Sequence, residues 1–340
     1  MTLSNLPTHA PDETGVKLAD LLHESRSLAL VPERATTIPT GFDPLDTALG
    51  GGLRLHDMVV IGGRPGVGKT VAGLQWARTA ALDGATAIVV SYEHDAATIL
   101  GRLMAMEVGI LGIETGAAAD PGNELSGIVQ AVMSGDWIIN DKVGRHPLVR
   151  AAFARLETYA DNLVLVPGST KHTDLAMLEN MVERHGTDRT MLMVDYIQKV
   201  PEFTGVFNDE ARIRHVAEGL KQVAIDNNTA VLAVAAANGR GLDQKRIRLE
   251  HLRGAQSLAY ECDVLLMLNS KWSAVSRKHI TFDLTNAEDF KKYVVFSIEK
   301  NRTGPDFVDL EFEKAFQQYR FEPRGRFVSE RLIDGAMVLE

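Results

Sequence analysis

The chain has 340 residues, 45% hydrophobic and 24% charged, with 36 basic against 45 acidic side chains and a formal net charge of −9. That composition excludes a largely disordered or collagen-like chain, and the charge excludes a polycation that coats nucleic acid with its whole surface. A single cysteine, Cys262, excludes an internal disulfide framework and a cysteine-based zinc site.

No unbroken apolar run reaches the about 18 residues of a membrane span. The first fifteen residues show no basic start followed by an apolar stretch. A cytoplasmic protein with no membrane contact is therefore expected. Residues 1–15, with Pro7 and Pro11, predict a disordered tail. Residues 16–36 predict an amphipathic helix followed by a proline-bearing linker; Leu18, Leu21, Leu22 and Leu28 share one face. A helix so isolated docks either on its own domain or on a neighbouring subunit.

From 37 to 315 short apolar runs alternate with helical periodicity. The runs at 58–62, 86–92, 163–166, 191–195, 230–235, 263–268, 293–299 and 307–312 read as strands. Most are nearly continuous, as strands covered on both faces are. Helical spacing appears at 69–82, 95–109, 148–159, 173–185, 208–226 and 254–260. The expected fold is α/β, a mostly parallel sheet sandwiched by helices, with hairpin strands at the C-terminal end. Residues 110–147 are rich in Gly and Ala and give no clear element. Residues 316–340 read as a C-terminal extension.

The strongest local signal is Gly63-Arg64-Pro65-Gly66-Val67-Gly68-Lys69-Thr70, which fits the phosphate-loop pattern between an apolar run and a helix. Glycines let successive backbone N–H groups turn inward around an anion. Lys69 supplies charge for the β- and γ-phosphates, the Thr70 hydroxyl a ligand for Mg²⁺, and the helix N-terminus adds partial positive charge. Asp195 closes an apolar run, where an acid either serves the metal or caps the next segment. Glu93 stands at the matching end of the run 86–92, as a base for an attacking water or as the cap of the following helix. Residues 240–253 carry Arg240, Lys245, Arg246, Arg248 and Arg253 against Asp243 and Glu250. Such a segment is either a solvated loop or a local polyanion site. Cys262 and Trp76 read as core residues.

These residues, taken together, resemble the C-terminal ATPase domain of the DnaB-type hexameric replicative helicases, within the RecA-like group. The resemblance is carried by Ile38 to Asp46, Gly51-Gly52-Leu53, Arg64 to Thr70, Ser91-Tyr92-Glu93, Asp195-Tyr196-Ile197-Gln198, Leu252-Arg253 through Asp263, and Lys300-Asn301-Arg302-Thr303-Gly304-Pro305. It implies a RecA-like P-loop core that binds ATP and Mg²⁺ between adjacent subunits of a homo-oligomeric ring, a hexamer. It also implies that Lys300 and Arg302 reach into the neighbour's site, and that the helix at 16–30 packs on the next subunit. Single-stranded DNA would thread past the loops at 240–253, and a replication or regulatory protein would be a partner.

Three departures bear on this, one of them Gln256-Ser257-Leu258-Ala259-Tyr260-Glu261-Cys262-Asp263 where the family carries Gly-Ser-Ile-Glu-Gln-Asp-Ala-Asp. The stretch Ala235-Ala236-Ala237-Asn238-Gly239-Arg240 stands where the family carries Ser-Gln-Leu-Asn-Arg. Ala236 has no polar side chain to link nucleotide state to the DNA loops. The family's N-terminal helical domain is not expected in the short stretch before the core. Two functions follow: a DNA translocase or helicase, or a KaiC-like regulatory or scaffolding ATPase whose nucleotide state switches a protein partner. An inactive ring is a third, against which the retention of Lys69, Thr70, Glu93, Asp195 and Arg302 speaks.

Overall fold

The computed structural model describes residues 17–19, 36–116, 124–135, 138, 140–203, 208–275 and 288–333. The tail expected over 1–15 and, apart from 17–19, the helix expected over 16–30 lie outside them. Two short strands, β1 (Thr37–Ile38) and β2 (Leu53–Arg54), pair antiparallel before the main sheet begins.

Among the described residues, six strands form the parallel part of that sheet: β3 (Met58–Gly63), β4 (Thr86–Ser91), β5 (Leu163–Pro167), β6 (Thr190–Asp195), β7 (Thr229–Ala236) and β8 (Val264–Ser270). Four C-terminal strands extend it antiparallel: β9 (Tyr293–Asn301), β10 (Val308–Ala315), β11 (Arg320–Phe321) and β12 (Arg326–Phe327). The spatial order is β11-β10-β9-β8-β3-β7-β6-β4-β5, with β12 also on β10. Every residue of β3, β4 and β6 is buried, which explains why their sequences read as unbroken apolar runs.

Successive residues serve opposite faces. Val59 and Ile61 of β3 face one core, while Met58 and Val60 face the other. On the first face lie α1 (Lys69–Leu82), α2 (Ala96–Glu114), α3 (Glu124–Met133) and α4 (Pro147–Glu157); on the second lie α5 (Leu175–His185), α6 (Asp209–Asp226) and α7 (Ala255–Glu261). Polar caps set the starts. Asp95 accepts from Thr98 N at 2.7 Å, Asp174 from Met177 N at 3.0 Å, and Asn208 from Glu210 N at 2.8 Å.

Two features hold the first face together. Phe42, Phe296 and Phe312 stack with centroids 4.8–6.1 Å apart, and Trp76 meets Phe42 edge-on at 5.8 Å. Glu107 is fully buried on α2, held by Arg78 of α1 at 2.5 and 2.9 Å and by the Tyr159 hydroxyl at 2.7 Å. Although α2 is long and apolar enough by composition to cross a membrane, 61% of its apolar window is buried inside the molecule.

The region expected to be featureless, 110–147, holds the end of α2, all of α3 and a short turn at Asp141–Gly144. Its glycines permit close packing. A Cβ on Gly112 would sit 2.7 Å from the Leu125 side chain, so the small residue lets α3 approach α2. Residues 316–333 fold back onto the sheet: β11 and β12 pair with β10, and Gln75 of α1 exchanges two hydrogen bonds with the Phe321 backbone, at 2.9 and 3.1 Å.

Candidate nucleotide site

The phosphate loop leaves β3 at its C-terminal end and enters α1. Gly66 and Gly68 have φ of +76° and +105°, a region closed to most side chains. At Gly68 a Cβ would also meet the Phe316 and Phe321 rings at 2.6 Å. The loop is thus clamped from behind by the C-terminal segment.

Lys69 Nζ donates to the carbonyls of Gly63 and Arg64, both at 2.9 Å. Burial pushes its ammonium pKa down to about 8, against the attraction of Asp195 and Glu93. The Thr70 hydroxyl donates to Asp195 Oδ2 at 2.8 Å. Asp195 ends β6 at 2% exposure, and burial pushes its carboxyl up to about 6 while the Thr70 bond opposes it. A buried carboxylate carrying one hydroxyl contact fits a divalent cation that also takes phosphate oxygens.

Glu93 follows β4. Ser91 Oγ accepts from the backbone N–H groups of Glu93 and His94 at 3.3 and 3.1 Å, which fixes the turn. The cap of α2 is Asp95, not Glu93. The Glu93 carboxylate instead lies 3.5 Å from Lys199 Nζ.

These groups border one cavity of about 420 Å³, within the size range of small-molecule sites. It is also lined by His94, Arg102, Tyr196, Ala236, Phe316 and Tyr319. Arg102 lies 4.7 Å from the Tyr319 ring centroid, a cation over an aromatic face. Sequence reasoning missed Arg102, Phe316 and Tyr319. Tyr319 and Phe316 come from the C-terminal segment, and nothing local marks either as a neighbour of the phosphate loop. A second cavity, of about 460 Å³, lies between α6 and α7 beside Asn208, Arg214 and Tyr260, away from the phosphate loop.

Lys300 and Arg302 are not brought to this cavity. Lys300 Nζ donates to the carbonyls of Ala259 and Cys262 at the end of α7. Arg302 contacts the Tyr260 carbonyl at 2.8 Å and Asp263 at 3.2 Å, with half of its side chain exposed. Because β9 runs antiparallel to β8, its end pairs with Val264, the start of β8. Both cations therefore sit at the edge of the sheet opposite the phosphate loop.

The basic segment leaves β7 at Ala236, beside the cavity. Arg240, Lys245 and Arg253 are exposed, Arg253 in an ion pair with Asp209 at 2.6 Å. Arg248 is half-buried against Glu299 at 3.2 Å. Arg246 corrects the sequence expectation of a surface cation. It is 4% exposed and donates to Asp309 at 2.6 Å and to Ser297 at 3.1 Å, because a carboxylate on β10 draws it inward.

The sheet order and the strand–loop–helix phosphate site together define a RecA-like P-loop fold. The family described as DnaB-like helicase C terminal domain matches residues 37–321, and the chain belongs to that family. It is 26% identical over 296 residues to the replicative DNA helicase DnaB of Haemophilus influenzae, covering 84% of this chain and 55% of the relative. It is 23% identical over 305 residues to the replicative DNA helicase DnaC of Bacillus subtilis, covering 85% and 59%. The chain thus spans about half the length of these relatives. Among solved structures, one described as an ATPase domain aligns with a TM-score of 0.65 at 18% identity, over 89% of this chain and 96% of that one. A DnaB-like replicative helicase, described with its interactions with primase, aligns at 0.64 and 19% identity, over 90% and 66%.

Proposed function

We propose that this chain is the motor of a ring-forming, ATP-hydrolysing DNA translocase or helicase that acts on single-stranded DNA. One observation carries the reading: Lys69, Thr70, Glu93 and Asp195 meet at one edge of the sheet, while Lys300 and Arg302 lie at the other. A site so divided is completed by a second copy of the chain, packed head to tail. A closed ring, a hexamer by family, meets that need.

The loop N–H groups and Lys69 hold the β- and γ-phosphates of ATP. Thr70 and Asp195 would hold Mg²⁺, which neutralises charge on the phosphate oxygens when bound. Glu93 orients the attacking water and accepts its proton. Arg302, with Lys300, stabilises charge on the neighbour's γ-phosphate; an arginine supplied in trans is worth about 10³–10⁵ in rate. Arg240, Lys245 and Arg253 offer phosphate contacts to the DNA backbone, which position a strand without reading its sequence. The similar structure's description names primase, and a cytoplasmic replication protein of that kind is the expected partner here.

Translocation tests the reading. With ATP and Mg²⁺, the assembled protein should displace streptavidin from one end of a biotinylated single strand. Hydrolysis without displacement from either end would contradict a motor and turn attention to a protein partner switched by ATP.

A further inference from the structure

The turn after β6 touches both halves of the site just described. Ile197–Lys199 is one 3₁₀ turn that begins two residues after Asp195. Lys199 Nζ lies 3.5 Å from the Glu93 carboxylate and 5.1 Å from the Tyr196 ring centroid. The adjacent Gln198 is 4% exposed and reaches elsewhere. Its Oε1 accepts from Ala236 N at 3.1 Å, and its Nε2 donates to the Arg253 carbonyl at 2.9 Å. Ala236 is the last residue of β7, and Arg253 closes the basic segment. One buried amide therefore pins both ends of the loop 237–253.

α6 braces the same turn. Arg212 donates to the carbonyls of Gln198 and Val200 at 2.9 and 2.8 Å. Asp209 accepts from Arg212 and from Arg253, both at 2.6 Å. Polar contacts thus tie Glu93 to Lys199 and Gln198 to Arg253, and the backbone of the turn joins the two. A buried amide with both ends satisfied is costly to leave unpaired.

We infer that the turn Ile197–Lys199 is a positioning element that sets the Glu93 carboxylate according to the state of the basic loop. A strand bound at the loop shifts Ala236 and Arg253, the turn carries that shift to Lys199, and Glu93 is released toward the attacking water. Neither Gln198 nor Lys199 touches the reacting atoms. The inference rests on the reading of the site as a DNA-stimulated ATPase. The test reads the coupling itself.

Hydrolysis is measured with and without oligodeoxythymidine at low salt, for the full chain, for Gln198→Leu, for Lys199→Met and for the double variant. DNA binding is followed in parallel by fluorescence anisotropy. In each single variant the ratio of the two rates should fall about fivefold or more, the lower end of ordinary coupling between sites, with the oligonucleotide still bound. The double variant should fall no further, because the two residues form one unit. Lys199 is one-third exposed, so Lys199→Met carries the test even where Gln198→Leu fails to fold. Equal loss of both rates, with the ratio unchanged, marks a merely structural turn and overturns the inference. Full stimulation in both variants overturns it alone. No stimulation in the unaltered chain overturns the DNA-stimulated reading, and the inference falls with it.

Discussion

Arg302→Ala offers the sharpest test of how the site is divided. Arg302 N donates to the Asp263 carbonyl at 3.0 Å, and Asp263 N donates to the Met58 carbonyl at 2.8 Å. Arg302 therefore stands beside the first residue of β3, while the phosphate loop leaves the last. At about 3.3 Å per residue the strand between them spans about 17 Å, with the buried sheet in the way. On the proposed reading, its guanidinium serves another subunit's nucleotide. Its loss should leave nucleotide binding near the unaltered level and lower hydrolysis by about 10³–10⁵. Lys69→Ala should abolish hydrolysis by removing the phosphate charge. Mixing the two inactive variants rebuilds whole sites wherever an intact loop faces an intact arginine, about a quarter of interfaces by random assembly. A coupled-enzyme assay on subunits mixed and reassembled should recover activity of that order. No recovery on mixing, in rings shown to exchange subunits, would refute the division. So would a monomeric preparation that hydrolyses ATP at the assembled rate.

Four further outcomes follow from named contacts. Arg240→Ala combined with Lys245→Ala should weaken binding of single-stranded DNA and flatten the slope of log K against log salt by about 1.4, at about 0.7 per lost contact; an unchanged slope removes both residues from the DNA site. Arg246→Ala should instead lower stability, measured by urea denaturation, because it removes the buried cation that donates to both Ser297 and Asp309 and leaves that carboxylate only the Ser297 hydroxyl. Glu107→Ala should cost about 3–5 kcal/mol in the same measurement, since it strands the Arg78 guanidinium and the Tyr159 hydroxyl in the core; a loss below about 1 kcal/mol would contradict that account of the packing. Burial holds the Lys69 ammonium at about 8, so the free site loses that charge as pH rises through 8. Bound phosphates favour the charged form, so nucleotide affinity should be retained below that pH, decline above it, and be accompanied by proton uptake near pH 8.5. Calorimetry in buffers of different ionisation enthalpy checks this, and affinity that stays flat to pH 9.5 contradicts it.

The sheet and the phosphate loop were legible because each is written locally. Runs such as Met191–Val194 are apolar on both faces, and the glycine spacing of 63–70 is contiguous. Hidden parts depend on residues far apart in the chain. Arg246 reads as one more cation of a basic loop, and only the fold brings Asp309 of β10 beneath it. Tyr319 meets Arg102 across more than two hundred residues of sequence, so neither advertises the cavity wall. Residues 110–147 were obscure for the opposite reason. Small residues such as Gly112 weaken helical periodicity, yet Gly112 is what allows Leu125 to pack against α2. Ala236, read as the loss of a polar link, offers its backbone N–H to Gln198 instead. No side-chain pattern records such a contact.

Steady-state ATP hydrolysis with Mg²⁺ at low salt, with and without single-stranded DNA and with Lys69→Ala as the blank, tests whether this chain is a DNA-driven motor. Hydrolysis well above the blank that rises several-fold when DNA is added is the predicted result. A rate no higher than the blank, or one that DNA leaves unchanged, would contradict it.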